Sequence, residues 1–173
     1  MDHDHYSDAY IRDILLGHRV FAVVGASVKT IRPSYFVMKY LLAKGFDVIP
    51  VNPGHGGHIV ADQTVVPSLG DIDRPVDVVD IFRNSDAALS ITEEAIRIGA
   101  KVVWMQIGVR NDDAARLAES AGLKVVMNRC PKIEYGRLSG EIGWAGVNSR
   151  TLSSKRPVIG SNGGQQRSLR KDG

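Results

Sequence analysis

A chain of 173 residues with 43% hydrophobic side chains is long enough to bury one substantial core and suits a single domain. It contains no apolar run long enough to cross a membrane, no signal-peptide layout and only one cysteine, so a soluble, cytoplasmic protein without disulfides or a membrane partner is expected. The net charge of +3 is unevenly spread: residues 151–173 carry five Lys or Arg against Asp172, whereas the first 150 residues hold 17 basic and 18 acidic side chains.

That Ser-, Gly- and Gln-rich end cannot bury enough apolar surface to fold by itself. It reads as a solvated basic tail rather than a nucleic-acid arm, and no nucleic-acid partner is expected.

In chain order, SDAYIRDILLGH (7–18) has the period of an amphipathic helix that covers the first strand. RVFAVVG (19–25) follows as a continuous apolar run, then SYFVMKYLLAKG (34–45) with helical period, then FDVIPVN (46–52). QTVVPSL (63–69) predicts a minor strand before a turn. VDVVDIF (76–82), KVVWMQI (101–107) and LKVVMN (123–128) are further strands, separated by the helical segments SDAALSITEEAIRIGA (85–100) and NDDAARLAESAG (111–122). Each intervening helix starts at a Ser or Asn and ends near a glycine. Strands apolar on both faces and alternating with helices predict an α/β fold, a doubly wound, mostly parallel sheet in one domain.

Ligands on such sheets sit at the carboxyl ends of the strands. Five loops fall there: GASVKTIRPS, NPGHGG, FRNS, QIGVRN and NRCPKIEY. In the first, Gly25 permits a tight turn into a helix whose start favours an anion. Ser27, Thr30 and Ser34 add hydroxyls, and Lys29 and Arg32 add charge. Only Gly25 matches the three-glycine dinucleotide fingerprint, and the second strand ends in Val51-Asn52-Pro53 instead of an acid for the adenosine ribose. Both departures weigh against NAD.

VVGAS with RPSY, then VIPVNP, VDVVDIFR, WMQIGV and AGLKVVMNRC, in register from about residue 15 to about residue 145, resembles the small stand-alone coenzyme A-binding proteins. These are similar to the N-terminal domain of the succinyl-CoA synthetase alpha subunit. The resemblance implies a Rossmann-like domain over residues 19–148, preceded by a helical segment (1–18) and followed by the tail (149–173). It implies coenzyme A (CoA), or an acyl-CoA, as the ligand.

By position, Gly25, Ala26, Ser27, Val28, Lys29 and Thr30 would hold the phosphates, with Arg32 and Ser34 beside them at the helix start. Asn52 and Pro53 would border the adenosine. Phe82 and Arg83 would supply an apolar wall and a cation, and Gln106, Ile107 and Gly108 would approach the pantetheine arm. The synthetase-like pattern has a lysine where His55 stands here, so a charge is expected to be lost near neutral pH.

No nucleophile elbow, P-loop lysine motif, CxxC pair or H-E-x-x-H helix is present. The synthetase's second, phosphohistidine-bearing domain has no counterpart in this sequence. A binding protein with no catalytic residues and no metal is therefore expected. The alternative is a nucleotide-cofactor enzyme, either an NAD(P)-dependent oxidoreductase or a relative of the acyl-CoA ligases. MDHDHY and HGGH lack the spacing of a metal site. Cys130 is expected to be a buried free thiol, although Arg129 and Lys132 beside it could instead lower its pKa and let it form a mixed disulfide with CoA. Trp104 and Met105 are expected in the core or a wall, and Trp144 over the sheet.

Overall fold

The computed structural model describes residues 1–141, so Trp144 and the basic tail lie outside the described residues. The elements run α1 (Asp8–Gly17), β1 (Val20–Val24), α2 (Pro33–Ala43), β2 (Asp47–Val51), β3 (Ile59–Val60), β4 (Gln63–Thr64), β5 (Val78–Ile81), α3 (Ala88–Arg97), β6 (Val102–Met105), α4 (Asp112–Ser120), β7 (Lys124–Val126) and α5 (Pro131–Leu138). Five strands pair in parallel in the order β2-β1-β5-β6-β7, while β3 and β4 form a separate antiparallel hairpin. This is the Rossmann-like, doubly wound sheet expected from the apolar runs. β5 and β6 are buried along their whole length, as strands covered on both faces must be.

The helices divide between the two faces. Ala88, Ile91 and Ala95 of α3 and Ala114, Ala115 and Ala118 of α4 pack against Ala22, Val79, Val103 and Val125. Ile11, Ile14 and Leu15 of α1, Val37, Met38 and Leu41 of α2 and Leu138 of α5 pack against Phe21, Val23, Val78 and Trp104. The leading helix is therefore continuous with the core of the domain.

Two sequence expectations hold in part. QTVVPSL splits: Gln63 and Thr64 join the hairpin, and Val66 makes a single parallel bridge to Val51 on the outside of β2. Val66 N donates to Pro50 O, so Pro50 turns its missing donor to the edge of the sheet, where proline is tolerated. NRCPKIEY is not a loop throughout, because Pro131 opens α5. Proline at the first helical position gives up an N–H that has no partner there in any case.

The outer side of β7 is met by two tyrosines. Tyr10 Oη donates to Val125 O at 3.1 Å and accepts from Val125 N at 3.0 Å. Tyr6 Oη accepts from Met127 N at 2.8 Å.

After β1 the chain moves outward to β2 and then returns across β1 to β5. The strand order reverses between β1 and β5, and the loops leaving those two strands flank the crevice where such sheets hold ligands.

Candidate functional site at the strand ends

Gly25 adopts φ +89°, a left-handed conformation that side chains disfavour. A Cβ there would lie 3.0 Å from Arg83 Cδ and 3.3 Å from the Phe82 carbonyl carbon. The glycine thus lets the loop after β5, with Phe82 and Arg83, close onto the loop after β1. Gly25 N and Ala26 N both reach Val51 O, at 2.9 and 3.3 Å.

Asn52 ties the second loop to the first. Its Nδ2 donates to Ala26 O at 2.8 Å, and its Oδ1 accepts from Gly54 N at 3.0 Å. Ser34 Oγ, buried, accepts from Ser27 N at 3.1 Å, and Ser27 Oγ accepts from Lys29 N at 3.1 Å. Ala26 is fully buried, and Val28 packs partly against the same core. Ala26, Ser34 and Asn52 therefore shape the loop from within, whereas Lys29, Thr30, Arg32 and Arg83 stand exposed.

The start of α2 supplies the electrostatic character. Arg32 occupies the cap position, no side chain caps the helix, and Pro33 follows. The positive end of the helix is left open toward the loop. Lys29, Arg32 and Arg83 have no carboxylate partner among the described residues, whereas Arg74, Arg110, Arg116, Arg129 and Arg137 are all ion-paired. The first loop (25–34) and the second (52–58) contain no acidic residue.

Pro53 is exposed at the head of a short 3-10 turn that ends at His55, whose ring lies 5.4 Å from that of His58. On the other side of the crevice Gly108 N donates to Asn128 Oδ1 at 2.8 Å, and Ile107 is 60% exposed. Gln106 does not extend its amide outward through nitrogen. It is buried, and its Nε2 donates to Asp80 Oδ1 and Oδ2 at 3.0 and 3.1 Å.

Asp80 is the residue that sequence reasoning passed over. It lies fully buried in β5, between Val23 on β1 and Trp104 on β6. Burial pushes its carboxyl up to about 8, partly offset by the Gln106 hydrogen bond. The signal available was the second acid of VDVVDIF, set among the apolar residues that follow Asp77.

Cys130 is buried at the head of α5, and burial raises its thiol above the ordinary value. Lys132 opposes this only weakly, and the Arg129 guanidinium is directed to the Tyr6 ring and Glu134. The neighbouring cations do not activate it. Among the described residues no cluster of His, Cys, Asp and Glu could hold a metal ion, and no helix is long and apolar enough to cross a membrane.

A concavity of about 330 Å³ lies away from these loops, along the outer edge of β2 between Val48 and Asp73. Arg74 and Asp47 pair there, so the basic residue in that groove is already neutralised. The strand-end crevice, with its unpaired cations, has the character of a site for an anion.

A Rossmann-like sheet with a cationic, glycine-turned loop at its switch point is the arrangement that suits a phosphate-bearing nucleotide. Comparison with known proteins narrows it. The CoA binding domain family matches residues 19–136, and this chain belongs to that family. It is 35% identical over 133 residues to the uncharacterized protein YneT of Bacillus subtilis, covering 75% of this chain and 94% of that one. A hypothetical protein from Pyrococcus horikoshii superposes with a TM-score of 0.74 at 43% identity, over 78% of this chain and 94% of that one. An acetyl-coenzyme A synthetase from Ca. Korarchaeum cryptofilum shares the fold, with a TM-score of 0.56 at 23% identity; the match spans 68% of this chain and 28% of that one.

Proposed function

We propose that this chain binds CoA, or an acyl thioester of it, across the carboxyl ends of the sheet and carries out no chemistry on it. The observation that carries this reading is the set of exposed cations on two adjoining loops, Lys29 and Arg32 on the loop that leads to the uncapped start of α2 and Arg83 where the loop after β5 closes on Gly25, none with a carboxylate partner among the described residues. CoA bears a pyrophosphate and a ribose 3′-phosphate, more negative charge than NAD, and guanidinium groups match phosphate geometry with two hydrogen bonds at once.

Thr30 would add a hydroxyl to the phosphates. Pro53 and His55 would border the adenosine, and Phe82 would wall it. The exposed Ile107 and the Gly108 backbone would flank the pantetheine arm. Asn52, at the place where dinucleotide enzymes bind the ribose through an acid, is instead engaged with Ala26 O. Catalysis on the thioester would need a nucleophile beside a base. Cys130 is buried with a raised thiol pKa.

Thermal-shift titration with CoA, acetyl-CoA, NAD and NADP tests the reading, because a ligand of the native state alone raises apparent stability. CoA or acetyl-CoA is expected to raise the midpoint and NAD to leave it unchanged. A larger shift with NAD or NADP overturns it, as does steady turnover of acetyl-CoA.

A further inference from the structure

The fold buries one carboxyl in the middle of its sheet, and apolar residues of similar size would serve packing better there. Asp80 lies between Val23 and Trp104, and its hydrogen-bond partner is Nε2 of Gln106. Taking a carboxyl out of water costs free energy whether it is ionised or neutral, and more when few partners compensate. A polar group kept at such a cost beside a crevice calls for a role outside the core.

The geometry of Gln106 supplies one. Its backbone is fixed by donation from Gln106 N to Ile81 O at 3.2 Å, and two residues later Gly108 N is held by Asn128. With Nε2 on both carboxyl oxygens, the amide's Oε1 is the atom turned away from Asp80. One carboxyl oxygen remains an acceptor for Nε2 in either protonation state, so the arrangement does not require an ionised acid.

We propose that Asp80 is a positioning residue, which holds the Gln106 amide so that its carbonyl oxygen faces the crevice and selects a ligand presenting a hydrogen-bond donor at that point. This rests on the CoA reading, in which the donor is an amide N–H of the pantetheine arm. The nucleotide half of CoA, held at the α2 end, does not meet Gln106.

Calorimetric titration of the full chain with two probes, CoA and adenosine 3′,5′-bisphosphate, tests this. Gln106→Leu is expected to weaken CoA about three- to tenfold, the range of one neutral hydrogen bond, and to leave the bisphosphate unchanged. Asp80→Val should reproduce that selective loss, and Asp80→Asn, whose Oδ1 still accepts from Nε2, should restore most of it. In the double variant Asp80→Val/Gln106→Leu the loss should equal that of Gln106→Leu alone, because Asp80 acts through Gln106.

Additive losses overturn the proposal, and so do parallel losses for both probes. If Asp80→Val does not fold, Gln106→Leu still decides: equal affinity of wild type and Gln106→Leu for CoA overturns it. A wild-type chain that binds neither probe defeats the CoA reading, and the positioning role falls with it. A wild-type chain that binds CoA, with unaltered variants, defeats the positioning role alone.

Discussion

On one face of the sheet α4 begins at Asn111, whose Oδ1 accepts from Ala114 N at 2.9 Å, and the turn leading into α3 begins at Asn84, which accepts from Ala87 N at 3.2 Å. Asn111 Nδ2 also donates to Ser85 O, joining the two loops. On the opposite face α2 and α5 begin at Arg32 and Cys130, each followed by proline and neither capped by a side chain. A cap satisfies a backbone donor inside the protein; an open start leaves it for water or a ligand. One face is finished as a scaffold. The other caps α1 through Ser7 but leaves the starts of α2 and α5 open, and it keeps the buried acid and the exposed Lys29 and Arg32.

The largest effect that would test this division concerns Asp80. Its folded pKa of about 8 stands above the ordinary 3.8, so the unfolded chain releases this proton first as pH rises. Its contribution is therefore fully present below about pH 4 and is lost as pH rises toward 8, by at most ~1.4 kcal/mol per pH unit. Urea denaturation at several pH values should show that decline in wild type relative to Asp80→Asn. Parallel curves would remove the acid from the contrast.

Next come the cations. Lys29→Ala, Arg32→Ala or Arg83→Ala should each weaken CoA about ten- to a hundredfold, the worth of one charge-assisted contact, with little change in denaturation midpoint. Dephospho-CoA identifies the cation facing the 3′-phosphate, since that variant should lose much less affinity for the analogue. Three unaltered affinities would show that the open helix end is not the phosphate site.

Gly25→Ala should cost about 1–2 kcal/mol of stability from its positive φ alone, and should weaken CoA by pushing Arg83 aside. The smallest effect belongs to the scaffold face. Asn111→Ala should cost about 1 kcal/mol in denaturation and leave CoA affinity unchanged. A binding defect in that variant would blur the two faces.

The strands were legible because burial on both faces leaves nearly unbroken runs of Val and Ile, as in VFAVV and VVWM. Gly25 was legible too, since a strand followed by glycine and a helix restricts the turn between them. α5 was obscured by Pro131, which opens a helix as readily as it ends one. The Asn52–Ala26 tie, the closure of Arg83 over Gly25 and the Asp80–Gln106 pair join residues 26 or more positions apart. Local periodicity carries no trace of them, and the resemblance that set Gln106 beside the pantetheine arm gave no sign that Asp80 engages its Nε2.

The two tyrosines along β7 bear on how this molecule behaves at high concentration. A terminal strand of a sheet offers a row of free peptide groups on which another chain can build. Here the Tyr10 hydroxyl takes both groups of Val125 and Tyr6 takes the next donor, at Met127, so side-chain oxygens stand where a neighbouring strand would dock. At the opposite border Pro50 lacks a donor and Val66 occupies its carbonyl. Both margins of the sheet are thereby guarded against edge-to-edge aggregation, and on the β7 side the guard comes from the segment ahead of β1, so removing that leading segment would cost the molecule its protection as well as part of its core.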